Sequence, residues 1–218
     1  MQNDTGTDDL YTRWQANADM ILSGTERGAE IKNVFFTLLE AINGMKWRGA
    51  CHSASVLLCV LFREMGLNAV PCTGMVASYP GCFSHSWVEV DGKVYDATIW
   101  LQNRIEVQIS PVMANIHLDT GEETTSLYGI DWLPLESDVS DYINHSFAWL
   151  MNCSIETAYA PPGFIVWDVL FRIAKRLKLP LPGLGTSSFN TFELREKYKD
   201  LKLVHIKRYS EEHLTRII

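Results

Sequence analysis

At 218 residues, with 47% hydrophobic and 21% charged residues, the chain has ordinary globular composition and is long enough to bury a full core. A net charge of −7 argues against a nucleic-acid binder, and no apolar run reaches the length of a membrane span. The charge is uneven: residues 1–162 hold 8 Lys and Arg against 20 Asp and Glu, a balance of −12, whereas residues 163–218 hold 11 against 6, a balance of +5.

In chain order, Leu10, Trp14, Ala18 and Ile21 recur at helical spacing and predict a helix over Asp8–Leu22. Ile31, Val34, Phe35, Leu38, Leu39 and Ile42 predict a second helix over Thr25–Asn43, with Gly44 as its stop. From Ser53 onward, Ala54, Leu57, Leu58, Leu61, Phe62 and Met65 mark a third, buried helix ended by Gly66. Cys51 therefore sits at or beside that helix's first turn. The partial positive charge of a helix N-terminus, with a nearby protonated histidine, favours thiolate over thiol, and the thiolate is the nucleophile.

Asn68–Val76 reads as a strand interrupted by Pro71, which predicts an edge or a bulge. Tyr79-Pro80-Gly81-Cys82 reads as a turn, and Ser78–Ser86 as a short, water-open loop at a cleft mouth. Ser84–Val90 then alternates, with His85, Trp87 and Glu89 on one face. Asp91-Gly92 signals a two-residue hairpin, and Lys93–Thr98 is the returning strand. Closure at Asp91-Gly92 sets Val90 opposite Lys93 and Trp87 opposite Asp96, so Asp96 lies diagonal to His85. A carboxylate there can orient an imidazole, the relation of a general base to its partner. Trp47, four residues before Cys51, and Trp87, beside His85 on its face, are candidate substrate contacts.

Further on, a strand is expected over Ile105–Ile109 and a polar loop over Asp119–Ser126, with His117 and Asp119 as surface residues. Ser137 or Asp138 caps a helix running through Phe147 and Leu150. Ala160-Pro161-Pro162-Gly163 is a break. Phe164–Leu179 reads as a helix, apolar first and then basic at Arg172, Lys175, Arg176 and Lys178, with Asp168 interrupting its apolar run. Such a helix suits an acidic protein partner or a membrane surface, but Asp168 in its apolar run favours a helix docked on the domain; its charge and the preceding break also suggest that it is separable from the chemistry. Helices over Phe189–Leu201 and Ser210–Ile217 complete the chain. The expected division is a catalytic core over 1–132 and a mainly helical C-terminal extension over 133–218, packed on that core.

The order of Cys51, His85 and Asp96, with His85-Ser86-Trp87-Val88-Glu89-Val90 and Asp96-Ala97-Thr98, resembles the transglutaminase-like superfamily of cysteine enzymes, over about fifty residues. The resemblance implies an α+β fold with a papain-related core, in which an active-site helix packs on an antiparallel sheet between N-terminal helices and a helical C-terminal extension. It implies a Cys51–His85–Asp96 triad that transfers an acyl group from an amide of a peptide or protein through a thioester. Hydrolysis (proteolysis or glutamine deamidation) is the favoured outcome. Amine transfer as in a transglutaminase or acyltransferase, and a non-catalytic binding module on the same fold, are the alternatives. No cofactor, metal or nucleic acid is called for. The five cysteines are odd in number, lack Cys-x-x-Cys spacing and follow no secretory leader, which points to reduced thiols and a cytoplasmic setting.

Overall fold

A computed structural model of the chain describes residues 5–79, 81–101, 109–131, 133–134, 147–179, 181 and 191–214. The expected strand at 105–108 and helix start at 137–146 lie outside the described residues.

The chain begins with helices α1 (Thr5–Ile21) and α2 (Gly28–Met45). Trp14 and Ala18 carry the buried stripe of α1, and Ile31, Val34, Phe35, Leu38, Leu39 and Ile42 that of α2, as their spacing requires. Helix α2 does not stop at Gly44. The left-handed residue is Lys46 (φ 49°), and the Trp47 N–H closes back on the Ile42 carbonyl at 3.0 Å. Trp47 is buried, so the chain turns where this indole must enter the core rather than at the solvent-exposed glycine. Helix α3 (Cys51–Glu64) is buried on nearly every side, from His52 and Ala54 through Phe62. This is the expected burial of a central helix with no polar stripe.

Helix α3 lies on an antiparallel sheet ordered β5-β4-β3-β2-β1-β6. Its strands are β1 (Ala69–Ser78), β2 (Gly81–Val90), β3 (Lys93–Asp96), β4 (Val112–Met113), β5 (Ile116–His117) and β6 (Leu127–Ile130). A short β7 (Val204–His205) runs parallel to β1. The β2–β3 hairpin has the expected register, Val90 opposite Lys93 and Val88 opposite Tyr95. Asp91 (φ 49°) and Gly92 (φ 77°) are both left-handed, the turn that matches strand twist. The expectation for β1 is corrected: it is central, flanked by β2 on one side and by β7 and β6 on the other. Pro71 is tolerated because pairing with β7 begins only at Cys72, and the irregularity falls at Met75–Val76. The Ser78–Ser86 loop is corrected too: β1 and β2 stay paired up to Ser78 opposite Gly81.

Val88, Val90, Tyr95 and Met113 join the helices in the main core. The alternate positions Cys72, Val76, Phe83, Trp87, Val94, Val112 and Tyr128 form a second apolar cluster. The chain beyond residue 133 returns to both the core and the sheet. Helices α4 (Phe147–Asn152) and α5 (Val166–Leu177) pack on α3, and α6 (Thr191–Tyr198) packs on α4, before β7 and a last short helix, α7 (Glu211–Leu214). Helix α5 buries Val166, Trp167, Val169, Leu170, Ile173 and Ala174 in the main core, so it is not separable in the sense its charge suggested. Asp168, which interrupts its apolar run, accepts the Ile165 N–H at 2.8 Å and caps the helix start. Part of its basic face is occupied at home: Arg172 lies 4.5 Å over the Phe164 ring, and Arg176 pairs with Glu40. His117 is held between Ser110 and Thr124, and Asp119 pairs with Arg13. No described helix is long and apolar enough to cross a membrane.

Candidate active site

Cys51 is the first residue of α3. Ala50 before it offers no side-chain cap, and no acidic residue lies in the first turn, so neither the cap nor the first turn of α3 neutralises the helix N-terminus. Across from it, β2 carries His85 and β3 ends at Asp96. His85 Nε2 lies 2.7 Å from Asp96 Oδ2, with both side chains fully buried. The hairpin register therefore delivers the predicted diagonal pair.

Asp96 is held from several directions. Its Oδ1 accepts the Thr98 N–H (2.9 Å), the Thr98 hydroxyl (3.1 Å) and the Ile99 N–H (3.0 Å). Its Oδ2 accepts from His85 and from the Tyr128 hydroxyl (3.0 Å). Such a carboxylate has no freedom to rotate, and it fixes the imidazole it faces. Tyr128 comes from β6, and burial together with the Asp96 charge holds its phenol protonated, well above its ordinary range.

With Nε2 taken by Asp96, His85 keeps Nδ1 for the thiol, and its side chain is hydrogen-bonded to Cys51. Burial opposes the charge on His85, but Asp96 and then the Cys51 sulfur outweigh it and raise its pKa. Burial likewise opposes the thiolate, yet His52 and His85 bring the Cys51 thiol down to about 5. Both shifts run in the direction of an imidazolium–thiolate pair. The other four thiols move the opposite way under burial: Cys59 up to about 12, and Cys72, Cys82 and Cys153 also above their ordinary value. All five cysteines are free. Among the described residues no group of three or more His, Cys, Asp and Glu side chains is placed to hold a metal ion.

The two tryptophans lie apart from this expectation of substrate contact. Trp87 has no exposed surface; its indole N–H donates to Glu89 Oε1 at 2.9 Å and its ring meets Tyr128 edge-on at 5.0 Å. It supports the site from behind, and the idea that it touches substrate is corrected. Trp47, 8% exposed, is a core residue at the α2–α3 junction. Two residues at the site were not singled out in the sequence. Tyr128 is far along the chain from Asp96, with no local signal. His52 had one, its position directly after Cys51, matched by Ser86 directly after His85.

Residues 13–104 match the family model described as the transglutaminase-like superfamily, a span that contains Cys51, His85 and Asp96. No curated protein and no solved structure matches the chain. Through this segment, from α1 past the end of β3, the chain is similar to the transglutaminase-like superfamily.

Proposed function

We propose that the protein is a cysteine-dependent hydrolase that cleaves an amide of a peptide or protein through a thioester. The observation that carries this reading is the buried 2.7 Å His85–Asp96 pair hydrogen-bonded to a thiol whose pKa is lowered at a helix N-terminus. Cys51 thiolate attacks the carbonyl carbon. As the carbon–nitrogen bond breaks, His85 gives its proton to the departing amine and the acyl group stays on sulfur. Water then adds to the thioester, its proton passes to His85, the carbon–sulfur bond breaks and the thiolate re-forms. Asp96 orients the imidazole throughout, and in this reading the backbone N–H groups opening α3 receive the oxyanion.

Water as the acceptor is supported by Cys51 itself, which keeps partial solvent exposure at the head of α3. A transglutaminase has to keep water from the thioester. Free thiols throughout fit a reducing compartment such as the cytoplasm. The test offers a glutamine-containing protein substrate with and without excess primary amine and follows product masses. Cleavage or deamidation that persists in amine, and is absent in Cys51→Ala, is the expected result. Near-complete amine incorporation overturns hydrolysis, and turnover by Cys51→Ala overturns the nucleophile.

A further inference from the structure

Cys51 and His52 are consecutive at the head of α3, and His85 and Ser86 are consecutive on β2. Two side-chain pairs bridge them. One is Cys51 with His85; the other is His52 with Ser86, whose Nδ1 and Oγ stand 2.7 Å apart. His52 is 8% exposed and Ser86 is fully buried, so the second pair is part of the interior and not a surface contact. The same His52 ring hydrogen-bonds the Cys51 side chain. A histidine kept only to fill the helix–strand interface needs Ser86, but it has no need of the sulfur.

We propose that His52 is a second residue holding the Cys51 thiolate, its ring fixed by Ser86 and an N–H presented to the sulfur. The inference rests on the reading of Cys51 as nucleophile. The proton shared by Cys51 and His85 has two seats, the sulfur or the imidazole, and only the second leaves a nucleophile. An additional donor on sulfur favours that state without touching His85, and it makes the sulfur a weaker base, hence a better leaving group when the thioester is hydrolysed. A serine hydroxyl both donates and accepts, so Ser86 holds the ring in either tautomer. The titratable groups facing the sulfur are His52 and His85, with Asp96 behind His85.

The experiment measures the rate of Cys51 alkylation by iodoacetamide against pH, with the site read by peptide mass spectrometry. It uses the full chain as wild type, His52→Gln, Ser86→Ala and His85→Ala, each checked for native thermal unfolding. In His52→Gln the inflection should rise by about one pH unit or more, slowing labelling at least about fivefold at the wild-type inflection. His85→Ala should keep an inflection below that of a free thiol, because His52 still acts. Ser86→Ala should shift in the same direction as His52→Gln by a smaller amount, and it serves as the test if the histidine variant does not fold. A His52→Gln profile that superimposes on wild type overturns the proposal, as does an unshifted Ser86→Ala. If wild-type Cys51 itself titrates as an ordinary thiol, it is the parent reading that fails.

Discussion

At the scale of residues, the site is a chain of buried contacts that ends on one sulfur. Asp96→Asn keeps the shape of the side chain but offers an amide where the imidazole needs a carboxylate. Turnover should fall by about three to four orders of magnitude while the melting curve stays cooperative; near-wild-type turnover would mean that another group orients His85. Tyr128→Phe removes one of five donors to Asp96 and leaves the other four in place. The loss should be about 1–2 kcal/mol in chemical denaturation, with a drop in kcat much smaller than for Asp96→Asn. A Tyr128→Phe variant as inactive as Asp96→Asn would give the hydroxyl a direct part in the chemistry.

At the scale of elements, β6 and β7 brace the site from the side away from α3. Arg208, just past β7, reaches Glu89 at 2.7 Å, and Glu89 holds the Trp87 indole that packs on Tyr128. Gly129 makes this closeness possible. Its φ is +93°, and a Cβ there would stand 2.7 Å from Ile206 Cγ2. Gly129→Ala should destabilise the protein by about 1–3 kcal/mol through backbone strain, with further cost from the clash. A melting temperature unchanged by the substitution would show that the C-terminal segment does not press on β6 as described. The β2–β3 hairpin was legible because Asp91-Gly92 dictates its register locally. The tyrosine on β6 was not, because nothing near Tyr128 records that β6 will pair with β1. The Ser78–Ser86 stretch misled for a similar reason: its Gly, Pro and Ser content reads as loop, but its true determinant is the pairing of Gly81 to Ser86 with β1, six positions of a ten-position ladder. Gly44 misled because an exposed glycine is tolerated within a helix when a buried tryptophan downstream sets the end.

At the scale of the whole molecule, the C-terminal part contributes to one core rather than decorating a finished domain. Trp167, Leu170 and Ala174 of α5 are almost wholly buried, and β7 adds to the sheet beside β1. A chain ending at Pro162 should therefore lose cooperative unfolding and expose apolar surface, and a truncated chain with native melting and thiol reactivity would contradict this. The opposite charges of the two parts, read in the sequence as separability, instead face each other in pairs such as Arg176–Glu40, Lys197–Glu64 and Arg208–Glu89. Charge balance records sign but not position; the local sign of a docked helix was Asp168 within the apolar run.

The depressed Cys51 and elevated His85 set the working range. Thiolate exists above the lowered thiol value of about 5, and imidazolium persists below the raised value of His85, so the reactive pair spans neutral pH and is lost toward either extreme. The central claim is that Cys51 alone among five thiols is activated. It is tested most directly by exposing the protein to iodoacetamide at about pH 6, where a free thiol of pKa about 8.5 is almost wholly protonated. Intact-mass and peptide mass spectrometry then count and locate the adducts. The account predicts one adduct, on Cys51, slowed in His85→Ala. Labelling of the exposed Cys82 as fast as Cys51, or no labelling until the pH approaches that of ordinary thiols, would contradict it.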